Sequence, residues 1–226
     1  MSPSKIVTLV IIAAAGLGYF ALKPNTANDA AVKSYSLPWH IETHDDGTST
    51  VFGVSLEKTT VSELLRINGE DHELAIISDS EDQSGLEIYF SHFSIGPLQG
   101  KLIAKVDANQ QQLEAMQAKA SVASYTSSGS RKFLLNESDL ATIQNWTIGS
   151  LSYLPSASLD EAIILERFGS PTERISQEEG IEHFLYPEKG LDIALNTEGK
   201  ELLQYVAPRN FESLALPLQT KKSLLP

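Results

Sequence analysis

The 226-residue sequence contains no cysteine, which removes disulfides, thiolate nucleophiles, Cys-ligated zinc and lipid attachment through sulfur together. Basic residues are scarce: 17 Lys and Arg stand against 29 Asp and Glu, for a net charge of -12. A nucleic-acid groove needs a basic face to displace phosphate counterions, so nucleic acid is excluded as a partner. Also missing are a G-x-S-x-G nucleophile elbow, a Walker loop and a dinucleotide glycine fingerprint. Nothing in the composition or the motifs therefore assigns a catalytic residue or a cofactor.

One uncharged apolar run interrupts this pattern. Ile6 to Leu22 carries no charge and is bracketed by Lys5 and Lys23. As a helix, its 17 residues would span about 26 Å, a little short of a ~30 Å hydrocarbon core. This predicts an N-terminal transmembrane anchor, the alternatives being a cleaved signal peptide and a buried soluble helix. Position at the extreme amino terminus favours export of the rest, giving a single-pass protein of the inner (cytoplasmic) membrane with its domain on the periplasmic side. Past residue 33, 14 basic and 28 acidic residues leave that domain at -14. Anionic headgroups should repel it. Residues 23–36 have the composition of a linker that lifts it off the surface.

Beyond the linker, local signals alternate between strand and helix. Trp39 to Thr43, the Asp45-Asp46-Gly47 turn and Thr50 to Val54 read as a hairpin. Thr60-Val61-Ser62-Glu63 is a capping box that opens an amphipathic helix ending at Asn68-Gly69. Strand-like runs follow at Glu73 to Ile77, Leu86 to Phe93 and Leu102 to Val106. Residues 109–154 read as connecting helices and strands. The early order then recurs: Ser158-Leu159-Asp160-Glu161 is a second capping box, its helix ends at Gly169, and runs at Thr172 to Ile175, Ile181 to Tyr186, Leu191 to Leu195 and Leu202 to Val206 follow. Leu86 to Phe90 is echoed by Ile181 to Leu185, and Leu102, Ala104 and Val106 by Leu191, Ile193 and Leu195.

The expected fold class is accordingly α+β, an N-terminal transmembrane helix followed by two helix-plus-antiparallel-meander units. The expected divisions are an anchor (1–22), a linker (23–36), a first unit (37–108), a connection (109–154), a second unit (155–213) and a tail (214–226). The tail reads as either a docking peptide or a disordered end.

The second unit resembles the BamE-like (SmpA/OmlA) modules of bacterial envelope proteins. The resemblance rests on the capped helix ending Phe168-Gly169-Ser170-Pro171, the strand ending Phe184-Leu185-Tyr186, and the turn Leu195 to Lys200. It spans 158–206, with a weaker echo at 53–107. It implies an envelope scaffold or interaction domain, without catalytic residues to carry over. The family's lipidated cysteine has no counterpart here, where Ile6 to Leu22 stands instead.

Candidate chemistry is thin. His40 and His44 would lie about 13 Å apart on a strand, too far to share one ion, so no metal site is assigned. His183 is the one histidine inside the BamE-like unit. Aromatics are the better lead: Tyr89, Phe90 and Phe93 in the first unit and Phe184, Tyr186 and Tyr205 in the second either pack as core or line a groove between the units. The sequence thus points to a membrane-tethered module that binds other envelope proteins. A binding module for a small ligand or peptide is the alternative, and an enzyme the third reading.

Overall fold

The computed structural model describes residues 37–223 except 70, 80–82, 121, 127–128, 178–179 and 197–198. The proposed anchor and the linker 23–36 lie outside the described residues. A small sheet comes first, with β1 (Glu42–Thr43), β2 (Ser49–Val51) and β3 (Val54–Ser55). Helix α1 (Val61–Asn68) leads into β4 (Glu73–Ser78), β5 (Ser84–Ile95) and β6 (Leu98–Val106). Next are α2 (Gln110–Gln117), β7 (Val122–Tyr125), β8 (Arg131–Leu134), α3 (Glu137–Ile143) and β9 (Ile148–Pro155). Helix α4 (Glu161–Phe168) then leads into β10 (Glu173–Ser176), β11 (Ile181–Tyr186), β12 (Leu191–Asn196) and β13 (Leu202–Val206), and α5 (Glu212–Ser223) closes the chain.

This corrects the expected fold class. The chain is mostly β, and the two meanders are halves of one ten-stranded antiparallel sheet ordered β10-β11-β12-β13-β9-β6-β5-β4-β8-β7. Among the described residues no helix is long and apolar enough to cross a membrane. The halves join because β9, expected in a connecting segment, pairs with β6 on one side and β13 on the other. Each inward face would be unpaired without that strand, and an unpaired strand edge inside a protein leaves backbone amides and carbonyls unsatisfied.

The seam has a pseudo-twofold relation. Tyr153 of β9 faces Leu203 of β13, while Tyr205 of β13 faces Leu151 of β9. Moving outward, β6, β5 and β4 on one side answer β12, β11 and β10 on the other. The registers then match Tyr153 with Tyr205, Ala104 with Ile193, Ile88 with Phe184 and Ile76 with Ser176. The β7–β8 hairpin is an addition at the outer edge of the first half. Phe52 packs on the seam, its ring 5.3 Å from that of Tyr153 and 5.4 Å from that of Tyr205. Both tyrosine hydroxyls find backbone acceptors, Gln99 O at 3.0 Å and Pro38 O at 3.1 Å.

Two details of the sequence echo shift. The echo of Leu86–Phe90 in Ile181–Leu185 is one residue out of phase, since Ile88 answers Phe184 rather than His183. Strand side chains alternate between faces, so that slip exchanges the core face for the opposite one. The second capping box is also displaced: Asp160 is the N-cap of α4 and accepts from the Ile163 amide at 2.8 Å. A carboxylate at that position also meets the positive end of the helix, and Ile164 and Phe168 become the buried positions.

The termini of α1 and α4 match closely. Thr60 caps α1 in the expected reciprocal box with Glu63. Each helix stops at a glycine, Gly69 with φ 86° and ψ -171° and Gly169 with φ 83° and ψ -173°, a backbone region nearly closed to other residues.

One face of the sheet carries the main core. Helices α1 to α4 contribute Val61, Leu64, Leu113, Met116, Ile143, Ile164 and Phe168 to it, and the small sheet adds Val51, Phe52 and Val54. The opposite face holds a second, smaller cluster, in which Leu214, Ala215 and Leu218 of α5 pack with Phe211 on Ile175, Leu185 and Val206. The described part of the expected tail is therefore a helix docked on the second half of the sheet.

Candidate functional site

The aromatic residues separate by strand parity. Phe90, Phe93, Phe184, Tyr186 and Tyr205 are all buried in the main core, so they line no open groove. The Tyr186 hydroxyl donates to Gly169 O at 2.9 Å, and burial pushes its pKa up to about 12. Tyr205 is raised well above the usual tyrosine value for the same reason. Only Tyr89 points to the opposite face, where it is half-buried in an open concavity.

That concavity, of about 430 Å³, is the candidate site. Strand β4 supplies Glu73, Ala75 and Ile77, β5 supplies Glu87 and Tyr89, and β6 supplies Ile103. Ser124, Tyr125 and Thr126 of the β7–β8 hairpin form one rim, and Tyr125 is 76% exposed. Lys132 closes an ion pair with Glu73. Glu87 differs: among the described residues no donor hydrogen-bonds to it, and burial pushes its carboxyl up despite Lys105 directly opposite on β6. The surface thus mixes the apolar and aromatic side chains of Ala75, Ile77, Tyr89 and Ile103 with the Glu73–Lys132 pair, two rim hydroxyls and the poorly solvated carboxylate of Glu87. Glu87, Ile103 and Ala75 escape a sequence reading because alternation alone does not say which strand face stays uncovered.

Further concavities lie elsewhere among the described residues, two of them close to the seam. One of about 440 Å³ runs beside the seam, lined by Lys105, Asp107, Gly149, Ser150, Arg209 and Ser213 among others. Thr147 donates to Asp107 at 2.9 Å, yet burial, with Glu57 nearby, holds the Asp107 carboxyl above its ordinary value. Glu57 itself is held by Arg209 and Asn210. The other is an apolar cleft between α4 and the seam, where Trp39, Leu159, Ile163 and Phe168 leave room for only about 40 Å³.

No known protein family, characterised protein or solved structure is measurably similar to this chain. The BamE-like resemblance of 158–206 rests on the residues quoted for it, and the chemistry of the surface has to carry any functional reading.

The histidines do not converge. His40 is exposed, and His44 Nε2 lies 2.8 Å from the Thr50 hydroxyl. Asp46 of the first turn is engaged by Lys58 at 2.6 Å and by Thr48, which hold it well below the usual carboxylate range. His183 Nδ1 sits 2.9 Å and 3.1 Å from the two Asp192 oxygens. Among the described residues this is the one place where an imidazole meets a carboxylate in the interior, with His183 8% and Asp192 1% exposed. The contact satisfies two polar groups that would otherwise be buried without a partner.

Proposed function

We propose that this chain is a non-catalytic interaction module, tethered at the inner membrane through the apolar run Ile6–Leu22 and presenting its acidic domain to other envelope proteins in the periplasm. The observation that carries the reading is the asymmetry of the sheet's outer face. In the second half α5 covers it, and in the first half the concavity at Tyr89 is left open by the described residues. An open concavity with apolar side chains at its floor and an exposed aromatic at its rim is a common form of protein-binding site. The BamE-like resemblance supports the same class.

Protease added to spheroplasts tests the placement. It should remove the domain from the outside, and digestion only after the cytoplasm is opened would refute it. A second reading, small-ligand binding, is favoured by the polar concavity beside the seam. Ligand-dependent thermal shifts abolished by Arg209→Ala would support that alternative.

A further inference from the structure

The pseudo-twofold relation indicates what covers the open concavity. Strand registers match Ala75 with Ile175, Tyr89 with Leu185, and Leu154 with Val206. Ile175, Leu185 and Val206 form the surface on which α5 lies, through Leu214, Ala215 and Leu218. Two of these counterparts, Ala75 and Tyr89, line the open patch, which therefore overlaps the counterpart of a helix-binding surface already occupied in the same molecule. The polar position differs in an informative way. Glu87 answers His183, whose ring is satisfied by Asp192, but the counterpart of Asp192 is the apolar Ile103. Glu87 thus keeps a half-buried carboxylate that no described residue hydrogen-bonds, with the Lys105 ammonium of the neighbouring strand as a Coulombic partner that does not offset its burial.

Resting on the interaction reading above, we infer that the concavity at Ala75, Ile77, Tyr89 and Ile103 receives an amphipathic helix of a partner protein that carries a Lys or Arg within its apolar stripe, the cation meeting Glu87. Apolar side chains at i, i+3 and i+4 would fill the space as Phe211, Leu214 and Ala215 do on the second half of the sheet. The cation would repair an unfavourable desolvated charge rather than add a surface ion pair, which gives it discriminating power: a helix with an acidic residue at that point would be rejected. The domain's charge of -14 beyond residue 33 steers a basic segment toward it.

The test is photo-cross-linking of the full chain in its native membrane, with a photoreactive amino acid at residue 89 and, in parallel, at residue 163 in the apolar cleft. The expected result is capture at 89 of one partner segment whose sequence has the helical apolar spacing and a Lys or Arg inside it. Glu87→Lys should abolish that capture, and reversing the partner's cation to Glu should restore it. Capture of a second copy of this chain, capture of a segment lacking the cation, or capture unchanged by Glu87→Lys would each overturn the inference. Capture at 163 without capture at 89 would overturn the inference and leave the interaction reading standing, whereas no capture at either would count against both.

Discussion

Glu87 has opposite consequences for folding and for binding. Its carboxyl is raised by burial, so between its unfolded and folded values the native state holds more protons than the unfolded chain, and stability falls as pH rises through that window. Glu87→Gln removes the penalty. The variant should therefore melt at a higher temperature than the parent at neutral pH, with the gap closing as pH drops into and below the carboxylate range, as thermal melts at several pH values would register. A variant no more stable at pH 7 would show that the carboxylate is better solvated than its position implies. A residue that costs stability and improves with neutralisation is what a binding surface retains for its partner. Phe52 shows strain of another kind: it sits at φ 56° in the β2–β3 turn, where a side chain with Cβ is disfavoured, because its ring fills the space between Tyr153 and Tyr205.

Among the elements, the two helices that open each half depend on their terminal glycines. Adding a Cβ at Gly69 or Gly169 meets no atom within 4 Å, so a steric count alone would allow alanine at both positions. The backbone conformation says otherwise. Gly69→Ala and Gly169→Ala should each lower stability by about 1–3 kcal/mol, the usual cost of a sparsely populated backbone region. Urea titration of the two variants measures this directly, and a loss below about 0.5 kcal/mol in both would mean that the turns relax. The helix starts were legible in sequence to different degrees. Thr60 and Glu63 form a self-contained box, whereas Ser158 and Asp160 are both competent caps two residues apart, and the burial of Ile164 and Phe168 decides between them.

For the whole molecule, the sheet argues for joint folding of both halves. One core runs from Ile76 and Leu86 through Tyr153 to Tyr205 and Phe184, without a break at the seam. Residues 37–223 should consequently unfold in a single cooperative transition, with calorimetric and van't Hoff enthalpies in agreement. Two resolved transitions would restore the picture of independent units. Topology also explains why the candidate site was only partly legible. Period-two alternation identifies the strands, and Tyr89 stands out as an aromatic among them. Whether Tyr89 shares a face with Phe90 or opposes it follows from alternation. Whether that face is covered depends on where α5 lands, some 120 residues later in the chain.

The sequence by itself determined what local chemistry determines: the Thr60 box and the glycine stops of two helices, the main strands of the two meanders, the acidity of the domain, and the absence of cysteine. These follow from side chains acting on their own or neighbouring backbone. Only the tertiary structure decided that β9 joins two meanders into one sheet, that five of six candidate aromatics are core, and that the described residues leave Glu87 and Tyr89 in an open concavity. Strand pairing and the docking of α5 are contacts between distant parts of the chain. Their free energy comes from surface buried jointly, and no window of sequence contains both sides of that surface.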